Sequence, residues 1–161
     1  MENFIAMKEV IEKFYQAFHE LDAEGMAECY HPDVVFEDPA FGVLHGEKAG
    51  NMWRMLCNAQ KGKDDFKVEF SNIRQEGDHW AAHWEAHYEF SKTGRRVHNK
   101  IDASFQFKDG KIIDHRDHFN LRKWASQALG FQGALLGGTG FFRKKLNAQT
   151  NHLLEKYEKT L

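Results

Sequence analysis

The order of hydrophobic periods along the chain predicts an α+β fold, with helices first and an antiparallel meander after them. In the opening segments apolar side chains recur at three- and four-residue spacing, and from residue 66 the period drops to two. The 161 residues include only two prolines and no Ser/Pro tract, so no linker is visible and one domain is expected over residues 1–161.

Phe4, Met7, Ile11, Phe14, Tyr15 and Phe18 form one apolar stripe and predict a first helix, with Asn3 as its candidate cap. Asp22 is placed to cap a short second helix carrying Met26, Cys29 and Tyr30, stopped by His31-Pro32. Residues 34–39, VVFEDP, read as a short strand closed by proline. A glycine-bounded loop from Gly42 to Gly46 then leads into a third helix with Ala49, Trp53 and Leu56 on one face. Phe66, Val68 and Phe70 alternate with polar residues, as do Trp80, Ala82, Trp84, Ala86, Tyr88 and Phe90, and then Ile101, Ala103, Phe105 and Phe107. Asp109-Gly110 marks a tight hairpin into a strand running from Lys111 to Phe119. Beyond Leu121 the pattern is helical again, ending in an amphipathic helix through Leu146, Thr150, Leu153, Leu154, Tyr157 and Leu161.

Composition narrows the function classes. Lys+Arg 22 against Asp+Glu 24 gives a net charge of −2, which argues against a nucleic-acid binder. Fourteen phenylalanines within 42% apolar residues supply ample core. The cysteines, Cys29 and Cys57, form no CxxC, and residues 1–4 lack a basic and apolar leader, so a cytoplasmic protein is expected. Residues 124–142, WASQALGFQGALLGGTGFF, carry no charge over nineteen residues, a spanning length. Five glycines and four polar residues argue against membrane insertion, and residues 130–140 are expected to cover a pocket or pack on a partner subunit.

Several polar groups interrupt apolar faces. Ile113 and Phe119 set the inward phase of the last strand, and His115 and Asp117 share that phase. A carboxylate on a buried face is expensive without a partner, so the pair is either a satisfied internal hydrogen bond or a functional site. Asp38 shares phase with Val34 and Phe36, and Tyr15 lies on the first helix's stripe. His83, Glu85 and His87 fall on the polar phase opposite Trp84, Ala86 and Tyr88, a solvated or subunit-contacting face, and no metal is expected. Neither a phosphate loop nor a GxSxG nucleophile elbow occurs, so covalent nucleophilic catalysis has no support.

The strand ending in Phe36-Glu37-Asp38-Pro39, followed by a helix and a meander closing with residues 108–119, KDGKIIDHRDHF, resembles the nuclear transport factor 2-like superfamily. Its SnoaL-like and ketosteroid isomerase-like branch is the most similar, over about residues 4–120, with the tail as an extension. The resemblance implies a curved sheet wrapped into a cone, an apolar pocket closed by the first and third helices, and a homodimer through the outer sheet face. It implies Asp38 as general base, Tyr15 as oxyanion donor, and Asp117 as the catalytic carboxylate of the SnoaL-like cyclases and limonene-epoxide hydrolases, with His115 beside it. Trp53, Trp84, Ala86, Tyr88, Ala103, Phe105 and Phe119 would line the pocket. The chain departs from the steroid isomerases at Ala103, where they place a protonated acid. It departs from the epoxide hydrolases on the strand of Trp84, Ala86 and Tyr88, where they place an arginine.

The function these residues imply is proton transfer on a hydrophobic carbonyl compound by an isomerase, cyclase or dehydratase without cofactor. A non-catalytic module of the same fold that binds a hydrophobic small molecule or forms dimers is the alternative, and an epoxide hydrolase-like activity the third. Two ionisable acids in an apolar pocket favour the enzyme, because a binder has no need of them.

Overall fold

The computed structural model describes residues 2–161. It forms helices α1 (Glu2–His19) and α2 (Ala23–Glu28), strands β1 (Tyr30–Asp38) and β2 (Gly42–His45), and helix α3 (Glu47–Gln60). Strands β3 (Lys67–Glu76), β4 (His79–Glu89), β5 (Arg96–Lys108) and β6 (Lys111–His118) follow, then helices α4 (Leu121–Leu129), α5 (Phe131–Leu136) and α6 (Gly140–Glu158). The architecture is α+β, as the hydrophobic periods predict. All six strands join one sheet in the order β2-β1-β6-β5-β4-β3, with β2 and β3 as its free edges.

The sheet is mixed rather than wholly antiparallel, because β1 pairs parallel with β6. Three further expectations shift. Helix α1 already begins at Glu2, so Asn3 lies inside it and does not cap it. Tyr30 opens β1 instead of ending α2, and His31-Pro32 continues that strand. Proline is tolerated there because the pairing to β6 is interrupted between Tyr30 and Val35, so its missing N–H leaves no ladder bond unmade. The expected Gly42–Gly46 loop is largely β2, a four-residue edge strand antiparallel to β1.

The core forms where α1 and α3 cover one face of the sheet. Ile11, Phe14, Tyr15 and Phe18 of α1 and Met52 and Trp53 of α3 pack with Phe36, Trp84, Ile101, Phe105 and Ile112 of the strands. Each fully buried Phe or Ile in such a cluster contributes roughly 1.5–3 kcal/mol by leaving water. The hairpin at Asp109-Gly110 has φ of 54° and 75°, the left-handed pair a two-residue turn demands. A second irregularity follows at once. The register slips between Gln106 and Phe107, which pair with Asp114 and Ile112, so Ile113 is a bulge residue. Ile112, not Ile113, is therefore the buried member, and the slip restores the phase that puts His115 and Asp117 inside.

Residues 121–161 fold back over the sheet. Asn120 caps α4 by accepting from Lys123 N at 3.0 Å, and Thr139 caps α6 through Phe142 N at 3.1 Å. A Cβ built on Gly133 would collide with the Ala125 carbonyl, so glycine is what lets α5 lie directly on α4. Among the described residues no helix is long and apolar enough to cross a membrane.

Candidate functional site

Asp38 is the last residue of β1, and Asp117 is the penultimate residue of β6. Their strands run parallel with Phe36 beside His115 and Glu37 beside Arg116, so the next step sets Asp38 alongside Asp117. Both acids reach the wall of the same cavity.

Asp38 Oδ1 accepts the N–H groups of Ala40 and Phe41 at 2.9 and 2.7 Å, an Asx turn that reverses the chain into β2. No bond to Oδ2 is found among the described residues, which leaves that oxygen for the cavity. From outside, α6 grips the same turn: Asn147 Nδ2 donates to the carbonyls of Pro39 and Ala40, Thr150 Oγ1 to Ala40, and Asn151 Nδ2 to Phe41. Asp38 is thus half-buried between its own turn, held by α6, and the cavity. This burial pushes its carboxyl up to about 7. The Phe41 N–H opposes the rise, the charge on Asp117 adds to it, and the Ala40 N–H and Arg143 pull down.

Asp117 ends a buried hydrogen-bonded chain. Trp53 Nε1 donates to Tyr30 Oη at 2.9 Å, and Tyr30 Oη lies 2.8 Å from His115 Nδ1. His115 Nε2 lies 2.9 Å from Asp117 Oδ1, which also accepts Trp84 Nε1 at 3.3 Å. One direction satisfies every member: Tyr30 donates to Nδ1, and Nε2–H donates to Asp117. The network thereby assigns the proton of a neutral imidazole to Nε2. With Nδ1 protonated, Tyr30 would receive two donors and its own O–H would lack an acceptor. Phe14, Phe36 and Phe105 surround the imidazole, Phe105 at a centroid distance of 4.5 Å, which keeps water from competing for these bonds.

The cavity has a volume of about 830 Å³. Trp53, Trp84, Ala86, Tyr88 and Phe119 line it, as expected from the sequence. Ala103 and Phe105 do not line it; they lie buried in the core, Phe105 stacked on His115. His115 is likewise behind the wall and reaches the cavity only through Asp117. Tyr15 is also off the wall: its ring packs against Phe70, Trp84 and Phe105, and its buried hydroxyl has no partner among the described residues. Burial pushes that phenol well above its usual range.

Two polar groups stand on the wall instead: Tyr88, expected there as a lining residue only, and Asn99, which the sequence did not single out. Tyr88 Oη accepts Trp124 Nε1 at 2.7 Å, and its own O–H has no acceptor among the described residues. Burial pushes this phenol up to about 12, against the Trp124 hydrogen bond. Asn99 lines the cavity, and no side-chain hydrogen bond is found for it among the described residues. Alternation on β5 from Ile101 put Asn99 inward and would have marked it. The Trp124 contact joins segments 36 residues apart and left no local trace. The glycine-rich segment and α6 supply the remaining wall through Leu136, Phe141, Phe142, Leu146 and Leu153. Phe131, Leu135 and Phe141 keep 77%, 62% and 74% of their surface exposed around this side.

The family model described as a SnoaL-like domain matches residues 11–115. Among solved structures, a limonene-epoxide-hydrolase-like epoxide hydrolase from M. tuberculosis is 21% identical, covering 83% of this chain and 92% of that one with a TM-score of 0.59. A candidate polyketide cyclase from Xanthomonas campestris is 20% identical over 78% and 98% of the two chains, with a TM-score of 0.60. A candidate isomerase from Bacillus subtilis is 19% identical over 81% and 96%, with a TM-score of 0.64. At these identities the likeness is one of fold. No curated protein matches the chain.

Proposed function

This chain belongs to the SnoaL-like domain family, and from that premise we propose that it catalyses proton transfer on a hydrophobic carbonyl compound using its own side chains and no cofactor. The observation that carries this reading is a pair of carboxylates, Asp38 and Asp117, on the wall of an apolar cavity of about 830 Å³. The charge on Asp117 favours a proton on Asp38, and a carboxyl near 7 holds both forms at neutral pH.

In the proposed step, Asp38 Oδ2 takes the proton from the carbon next to the carbonyl. Charge then moves onto the carbonyl oxygen, where the free O–H of Tyr88 and the amide of Asn99 donate to it. Tyr88 thus takes the role the resemblance gave to Tyr15. Asp117, held by His115 and Trp84, stabilises the proton on Asp38 until it returns to another carbon. A homodimer belongs to the same proposal, and sedimentation of the purified chain checks it.

The experiment is deuterium wash-in at the α-carbon of a panel of apolar cyclic ketones, followed by NMR. The wild-type chain should accelerate exchange of at least one member, and Asp38→Asn should slow it by about 10²–10⁴-fold, the usual contribution of a positioned base. Binding of ketones without exchange above buffer would instead support a non-catalytic binding module, a role the mostly apolar wall would also serve.

A further inference from the structure

We propose that the outer face of the sheet carries a site for a divalent transition-metal ion, formed by Glu85, His87 and His98. Because Trp84, Ala86 and Tyr88 turn into the cavity, alternation turns His83, Glu85 and His87 of β4 to the opposite face. On β5 the buried Val97, Asn99 and Ile101 turn His98, Lys100 and Asp102 the same way. Antiparallel register then sets His87 directly against His98, and Glu85 stands two residues along β4.

Geometry supports a metal more than a solvated polar face. The His87 and His98 rings lie with centroids 3.9 Å apart and 22° between their planes. Glu85 Oε1 is 2.6 Å from His98 Nε2. One ligand atom from each of the three residues lies within 4.8 Å of the other two. Donors sharing one zinc ion at about 2.1 Å stand about 3.4 Å apart, so rotation of side chains closes the site without moving the backbone. Two imidazoles and a carboxylate suit zinc, nickel or copper(II), and three protein ligands leave room for water.

Around these three is a ring of orienting partners. Glu69 Oε1 lies 3.1 Å from His87 Nε2, and His83 Nε2 lies 2.8 Å from Glu85 Oε2 while its Nδ1 lies 3.0 Å from Asp102. Such carboxylate–imidazole pairing fixes ligand orientation at metal sites. Lys67, paired with Glu69, and Lys100, opposite Glu85, border the cluster and leave its centre to the acids. The ion would tie β4 to β5 directly behind Ala86, Tyr88 and Asn99, stiffening the cavity wall from the back.

The test uses the full chain, free of any affinity tag and stripped with a chelator, titrated calorimetrically with zinc, nickel and copper(II) salts. One ion per chain is expected for at least one metal. His98→Gln and Glu85→Gln should each weaken it by at least about tenfold, as loss of a ligand does. His152→Gln, on the exposed side of α6, should leave it unchanged. Thermal melts of each variant confirm the fold, which these partly exposed positions should not disturb. Absence of binding for all three metals, or a loss smaller than tenfold in either ligand variant, overturns the proposal.

Discussion

At Asp38, protonation and stability are linked. Its folded-state value of about 7 lies above the ordinary 3.8, so the fold favours the protonated form. The folded chain therefore holds an extra proton between about pH 4 and pH 7, and stability falls as pH rises through that window and stays low above it. The full shift corresponds to a penalty of up to roughly 4 kcal/mol at pH 8. In Asp38→Asn, Oδ1 can still accept from Ala40 and Phe41 while the charge is gone. This variant should melt several degrees above wild type at pH 8 and by a smaller margin at pH 5, while losing ketone exchange. Scanning calorimetry at the two pH values checks both parts.

Asp117 responds differently because both its recorded bonds end on Oδ1. An asparagine carbonyl keeps both, so Asp117→Asn should melt within a few degrees of wild type even if the pair holds the sheet together. Tyr30→Phe is the stronger probe of the chain. It removes the hydroxyl that satisfies both Trp53 Nε1 and His115 Nδ1, and should cost about 1–3 kcal/mol in a denaturant melt.

Among the elements, legibility followed the range of the interactions that fix them. The long strands were readable because Trp80 to Phe90 alternates without interruption, and the Asp109-Gly110 turn because its residue types carry the backbone geometry. Strand β2 was hidden: four residues at an edge acquire strand character only from pairing with β1. Its neighbour Tyr30 was misplaced because the change from α2 to β1 depends on packing against Phe14 and His115, not on local propensity. Alternation alone points Ile113 inward, because a one-residue bulge flips side-chain phase without a sequence mark. On the cavity wall, the inward placement of Asp38, Asp117 and the residues from Trp84 to Tyr88 is legible from phase alone. That Tyr15 lies off the cavity wall is not legible, because a helix stripe tells which face is buried but not whether it meets core or cavity. Residues 130–140 are expected to cover a pocket or pack on a partner subunit, and the packing of Gly133 on α4 supplies a direct probe of the first role. Gly133→Leu should push α5 off α4, lower the melting temperature and weaken ligand binding together.

Over the whole molecule, the sheet, the N-terminal helices and the C-terminal extension each contribute a wall to one cavity, and the extension also encloses Asp38. We therefore expect residues 1–161 to unfold in a single transition. Ending the chain at Asn120 should expose Asp38 and drop its carboxyl toward the ordinary range, visible by NMR of the side-chain carbon. The most direct measurement is the pH dependence of ketone α-proton exchange for wild type, Asp38→Asn and Asp117→Asn. Wild-type exchange should rise through a midpoint near pH 7 as Asp38 ionises. In Asp117→Asn that midpoint should move to lower pH because a like charge is removed, and Asp38→Asn should abolish the rise. Exchange that keeps its rate and its pH profile in Asp38→Asn would contradict the assignment of Asp38 as the base and, with it, the catalytic account of this cavity.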